Sequence, residues 1–165
     1  MTDIVLIAHN LRSTHNIGSL LRTAEGLGVN QVVFSGYTPY PVEANDTRLP
    51  HLAQKIDKQI SKTALGAENM VNWRHIEDIN LLIAELKDQD YRIVGLEQSD
   101  HSIILNEYES PDKIVLILGR EVEGLEPEII SVCDQLIEIP MFGQKESFNV
   151  VQAAAMALYH LRLAP

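Results

Sequence analysis

A chain of 165 residues with 45% hydrophobic and 22% charged side chains can bury one core, and we expect a single domain over 1–165. Its longest apolar runs, such as Ile114–Leu118, are far too short to cross a membrane, and Met1-Thr2-Asp3 lacks the basic segment that opens a signal peptide. One cysteine, Cys133, excludes an internal disulfide and suits a reducing cytoplasm; no Cys/His group has zinc spacing, so no metal is expected.

The net charge of −10 is unevenly spread: residues 1–66 hold six Lys/Arg and five Asp/Glu, the remainder seven and eighteen. A polyanion should therefore meet the N-terminal part. In chain order, Ile4–Ala8 reads as a strand buried on both faces. A helix over about 17–27 follows, with Leu20, Leu21, Ala24 and Leu27 on its apolar face and Gly28 at its end. Val32–Phe34 is a second strand, and the proline-bearing stretch 36–43 a loop. Pro50 opens a helix whose apolar face is Leu49, Leu52, Ile56 and Ile60, with Lys55, Lys58 and Lys62 opposite. Then come a helix at 77–88, strands at 92–96 and 113–118, a short helix at 127–133, a strand at 135–139 and a final helix at 149–163. Strands alternating with helices predict an α/β fold, Rossmann-like, with a mostly parallel sheet and helices on both faces.

Two passages near the end repeat one design. Leu118-Gly119-Arg120-Glu121-Val122-Glu123-Gly124 and Ile139-Pro140-Met141-Phe142-Gly143, the latter leading to Ser147-Phe148-Asn149, each place a glycine-bearing turn between a strand and a helix. Such turns at strand ends form ligand crevices. Earlier, Asn16 and Arg22 stand six apart after the first strand.

These three motifs, in this order, resemble those of the SpoU (TrmH-like) branch of the SPOUT RNA methyltransferases over about residues 4–162. Phe148 stands where that family more often has leucine. The resemblance implies a C-terminal deep trefoil knot, a homodimer with the first and last helices near its interface, and S-adenosyl-L-methionine as cofactor. It implies methyl transfer to a ribose 2′-hydroxyl of tRNA or rRNA. The run Ala153–Ala157 offers small side chains for close helix approach, though alanine is also simply a good helix former.

In that family the arginine matching Arg22 is proposed to take the hydroxyl proton. Guanidinium holds its own proton, with a pKa above about 12, so positioning ribose and phosphate is the sounder role. Asn16, before the first helix, is also a natural N-cap. The resemblance places Glu121 near the catalytic pocket, where it would orient Arg22 or ribose; Ser147 and Asn149 would recognise the hydroxyl. Leu96, Gly119, Ile139, Met141 and Phe148 would hold the cofactor, Gly119 because a side chain there would take the ligand's space. Arg12, Arg48, Lys55, Lys58 and Lys62 are the candidate RNA contacts. Two alternatives stand beside this reading. One is a non-catalytic knotted RNA-binding or assembly protein. The other is a small-molecule nucleotide binder, against which Ala8-His9-Asn10-Leu11 stands where a Gly-x-Gly-x-x-Gly turn would follow the first strand.

Overall fold

The computed structural model describes residues 1–163. Its strands are β1 (Asp3–His9), β2 (Gln31–Ser35), β3 (Trp73–Ile76), β4 (Arg92–Leu96), β5 (Ile103–Ile104), β6 (Lys113–Leu118) and β7 (Gln135–Glu138). Its helices are α1 (Thr14–Gly26), α2 (Pro50–Ala64), α3 (Ile79–Asp88), α4 (Pro127–Val132) and α5 (Val150–Leu163). The strands form one sheet in the order β3-β2-β1-β6-β4-β7-β5, and every pairing is parallel.

A parallel sheet needs cover on both faces, and the strand alternation supplies it. Ile4, Leu6, Ala8, Phe34, Leu116 and Leu118 point into a core shared with α1, α2 and α5. Val5, Ile7, Val33, Ile93, Val115 and Ile117 point into a second core with α3 and α4. Burying a side chain of this size contributes on the order of 1.5–3 kcal/mol, so the continuous apolar strands dominate stability.

Several local expectations shift. Ser13, not Asn16, caps α1: its hydroxyl accepts the Asn16 N–H at 3.2 Å, which leaves Asn16 inside the first turn. On α2 the buried side chains are Ala53, Ile60 and Ala64, whereas Leu49 and Leu52 are exposed. The helix starts at Pro50 and buries Ile60 as expected, with Ala53 and Ala64 beside it. A Cβ on Gly18 of α1 would lie 2.1 Å from Thr63 Oγ1 and 2.2 Å from the Ile60 carbonyl oxygen. That glycine therefore sets the closeness of the α1–α2 packing. Strands β3 and β5 were not foreseen, because one is a half-buried edge rich in polar residues and the other has two residues.

Candidate active site

Strands β6, β4 and β7 are neighbours, so Leu118, Leu96 and Glu138 end side by side. Loops leaving the carboxyl ends of parallel strands form a crevice there. A cleft of about 260 Å³ opens at this edge, lined by residues of 96–98, 118–124, 138–139 and 146–148 and by Val150 and Ala153 of α5. The structure brings Leu96, Gly119, Glu121, Ile139, Ser147 and Phe148 together on it. Met141, Asn16, Asn149 and Arg22 are not among its lining residues.

The wall formed by residues 119–126 is braced from several sides. Arg120 and Gly124 exchange backbone hydrogen bonds of 3.1 and 3.0 Å, and Gly124 has φ +71°, where a side chain is strained. Glu97, which the sequence analysis missed although it follows Leu96 directly, accepts the Leu125 N–H at 2.7 Å. A Cβ on Gly119 would lie 2.5 Å from the Gly124 carbonyl carbon and 2.5 Å from the Leu125 nitrogen. The space beside Gly119 thus belongs to the loop's own backbone, not to a ligand as expected.

Glu121 also differs from expectation. Its carboxylate accepts the backbone N–H groups of Arg12 and Ser13, both at 3.2 Å, and so orients the β1–α1 loop rather than Arg22. A second tie runs through Asn10, whose Nδ2 donates to Glu126 Oε1 at 2.9 Å. Buried His9 lies behind it, with Nδ1 2.8 Å from Ser35 Oγ and Nε2 3.7 Å from Glu126 Oε2. Burial pulls the His9 pKa below its usual value, although the Glu126 carboxylate opposes that shift.

The other wall leads into α5. Asn149 Oδ1 accepts the Val151 N–H at 2.9 Å, an N-cap contact, so the capping residue is Asn149 rather than Ser147. Asn149 Nδ2 donates to Asn16 Oδ1 at 3.3 Å, joining the first and third motifs. Arg22 is exposed on α1 and lines an apolar groove with Leu27, Met156 and Tyr159.

The basic candidates divide. Lys55, Lys58 and Lys62 are exposed on α2. Arg12 is exposed, its guanidinium 5.8 Å from the Tyr37 ring centroid, and that neighbour raises its pKa. Arg48 is committed to its own loop. It donates to Asp46, to the Tyr40 carbonyl at 2.9 Å and to the Pro41 carbonyl at 2.9 Å, and it stacks 3.6 Å over the Tyr40 ring. Among the described residues no group of three or more His, Cys, Asp or Glu could hold a metal, and no helix is long and apolar enough to cross a membrane.

The cleft residues fit an amphipathic ligand carrying positive charge. Leu96, Leu118, Ile139, Phe148 and Val150 offer apolar faces for a flat base, and backbone groups at three strand ends offer its hydrogen-bond partners. Glu97, Glu121, Glu123, Glu138 and Glu146 favour a cation, with one arginine, Arg120, among them. That donor set fits S-adenosylmethionine, whose sulfur is positive.

The chain is 27% identical over 157 residues to a tRNA (guanosine(18)-2′-O)-methyltransferase of Aquifex aeolicus, covering 95% of this chain and 67% of that protein. It is 30% identical over 159 residues to the 23S rRNA (guanosine-2′-O-)-methyltransferase RlmB of Neisseria meningitidis, covering 96% and 58%. It thus spans roughly three fifths to two thirds of these relatives. The crystal structure of the A. aeolicus TrmH/SpoU tRNA modifying enzyme superposes with a TM-score of 0.80 at 24% identity, over 98% of this chain and 75% of that one. AviRb from Streptomyces viridochromogenes, in complex with the cofactor AdoMet, superposes at 0.78 with 20% identity, over 98% and 60%. The SpoU rRNA Methylase family model matches residues 3–159, nearly all of the sheet and its helices, and the chain belongs to that family.

Proposed function

We propose that the chain is an S-adenosylmethionine-dependent methyltransferase acting on a ribose 2′-hydroxyl of tRNA or rRNA, as a cytoplasmic homodimer of one domain per chain. The observation that carries this reading is the Asn149–Asn16 hydrogen bond, which joins the first motif to the third at the start of α5 beside the cleft. The names of the related enzymes support the reaction class.

When bound, S-adenosylmethionine supplies an electrophilic methyl on a positive sulfur, so the protein's work is orientation and electrostatics. Leu96, Ile139 and Phe148 would hold the flat base, and backbone groups of the loop braced by Glu97 would meet its polar edge. Asn149, with Ser147 near it, faces the hydroxyl. Glu121 holds the β1–α1 loop in place, and Asn16 holds Asn149. Arg22 clamps phosphate and ribose through its forked donors, while the hydroxyl proton passes to water or phosphate. Because Arg22 lies in the apolar groove between α1 and α5, outside its own chain's cleft, it serves the cleft of a second copy packed on that groove. Burial of the exposed Met156 and Tyr159 favours this pairing.

The proposed trefoil knot draws support from the strand order. β7 lies between β4 and β5, both of which precede it in the chain, and α5 follows it. Arg12, Lys55, Lys58 and Lys62 form the proposed phosphate-contacting set; Arg48 is left out because its donors are engaged. The test is calorimetric titration with S-adenosylmethionine against NAD, followed by mapping of 2′-O-methylation in cellular RNA with and without the gene. Binding of NAD alone would favour the nucleotide-binder reading. Cofactor binding with an unchanged methylation map would leave a knotted RNA-binding protein.

A further inference from the structure

Arg120 is the one cation among the described residues lining a cleft that also holds Glu97, Glu121, Glu123, Glu138 and Glu146. Its Nε is buried and makes no hydrogen bond. The nearest carboxylate oxygen, Glu126 Oε1, is 3.9 Å away, beyond hydrogen-bond reach, and already accepts from Asn10 at 2.9 Å. Arg120 thus makes only a loose ion pair, with a carboxylate that does not line the cleft, and its charge is available to an anion that enters it.

The cleft narrows which anion. S-adenosylmethionine carries a sulfonium, an ammonium and a carboxylate. The two cations suit the five glutamates, whereas the carboxylate is repelled by all of them and finds one countercharge. A guanidinium fork matches a carboxylate in geometry as well as charge. Arg12 does not line the cleft and rests against Tyr37. An RNA phosphate meets the same five carboxylates without the compensating cations, and the basic side chains of α2 offer it a better surface.

We propose that Arg120 receives the α-carboxylate of S-adenosylmethionine and thereby sets the cleft's preference for the intact amino-acid tail. The inference rests on the cofactor reading of this cleft. Unlike the hydroxyl-recognising residues it concerns affinity, so binding tests it directly.

The experiment is calorimetric titration of the full chain with S-adenosylmethionine and with its decarboxylated analogue, in wild type and R120Q. Wild type should prefer the carboxylate-bearing form by about 10-fold or more. R120Q should bind both forms with about the affinity wild type shows for the analogue, and R120K, a point charge without the fork, should fall between. Equal wild-type affinities would overturn the proposal even if neither variant folds, as would a wild-type preference that survives in R120Q. Weakened RNA binding in R120Q with the carboxylate preference intact would assign Arg120 to a phosphate and also overturn it. A wild type that binds neither compound would refute the cofactor reading itself, an outcome distinct from equal binding of the two.

Discussion

Residues 119–126 are tied to themselves, to Glu97 and to the β1–α1 loop, whereas residues 142–149, across the cleft, are exposed on their way to α5. Phe142 is 96% exposed and Phe148 38%, while Leu125, behind the first wall, is 4% exposed. The first wall holds its shape before any ligand arrives, which lowers the cost of binding. The second has few buried contacts to lose, so it adapts to what it meets. One cleft thereby combines a fixed template with a yielding cover.

The largest expected effect lies outside both walls. Arg22→Ala should lower the single-turnover methyl-transfer rate by about 10²–10³-fold, as loss of a preorganised charge does, with cofactor affinity changed less than about twofold. Normal rates would remove Arg22 from the mechanism. Gly119→Val breaks the braced wall: its side chain meets the Gly124–Leu125 backbone, and cofactor affinity should fall by roughly 100-fold. A thermal melt should show a cooperative transition at reduced temperature, since the strands beneath remain packed. Wild-type binding by this variant would refute the wall assignment.

Changing Lys55, Lys58 and Lys62 together to glutamine spares both walls. RNA affinity should drop across sequences and the log–log salt slope should shrink by about 3, roughly one per lost phosphate contact, with cofactor titration unchanged. An unaltered slope would make these lysines an ordinary solvated face. Phe148→Ala probes the yielding wall: cofactor affinity should fall about 3- to 10-fold, and the melting temperature should hold, because the ring is partly exposed in the free protein. A large loss of stability would show that this wall is as braced as the other.

The smallest effect is acid loosening of the fixed wall behind Glu126. Burial lowers the His9 pKa in the folded chain, so the unfolded chain takes up the proton first. The stability His9 contributes is present above the unfolded value of about 6.5 and is lost as pH falls below it. Urea titrations at pH 7.5 and 5.5 should show a small decrease that His9→Gln abolishes. An identical decrease in the variant would locate the pH dependence elsewhere.

The main strands were legible in the sequence because burial on both faces leaves an unbroken apolar run, as in Ile4–Ala8 and Ile114–Leu118. Trp73–Ile76 was not, since a half-buried edge strand needs no such run. On α2 the apolar period pointed rightly to Ile60, but Leu49 and Leu52 are exposed, while Ala53 and Ala64 are buried where Gly18 lets the second turn of α1 lie close to residues 60–64. The cleft was legible where an apolar side chain and a strand end coincide, as at Leu96 and Ile139. Contacts made across distant segments left no local signature: Glu121 to the Arg12 and Ser13 amides, Glu97 to the Leu125 amide, Asn149 to Asn16.

By itself the sequence determined the alternation of strands and helices, the family and the residues at the strand ends, because periodicity and motif spacing are properties of the chain alone. Tertiary structure decided what those residues do. It turned Gly119 from a ligand's neighbour into a crossing point of the backbone, gave Glu121 to the β1–α1 loop, committed Arg48 to its own turn and left Arg120 only loosely ion-paired with Glu126 beside an acidic cleft. A polar group's role depends on which donors and acceptors lie within about 3 Å of it, and only the folded chain sets those distances.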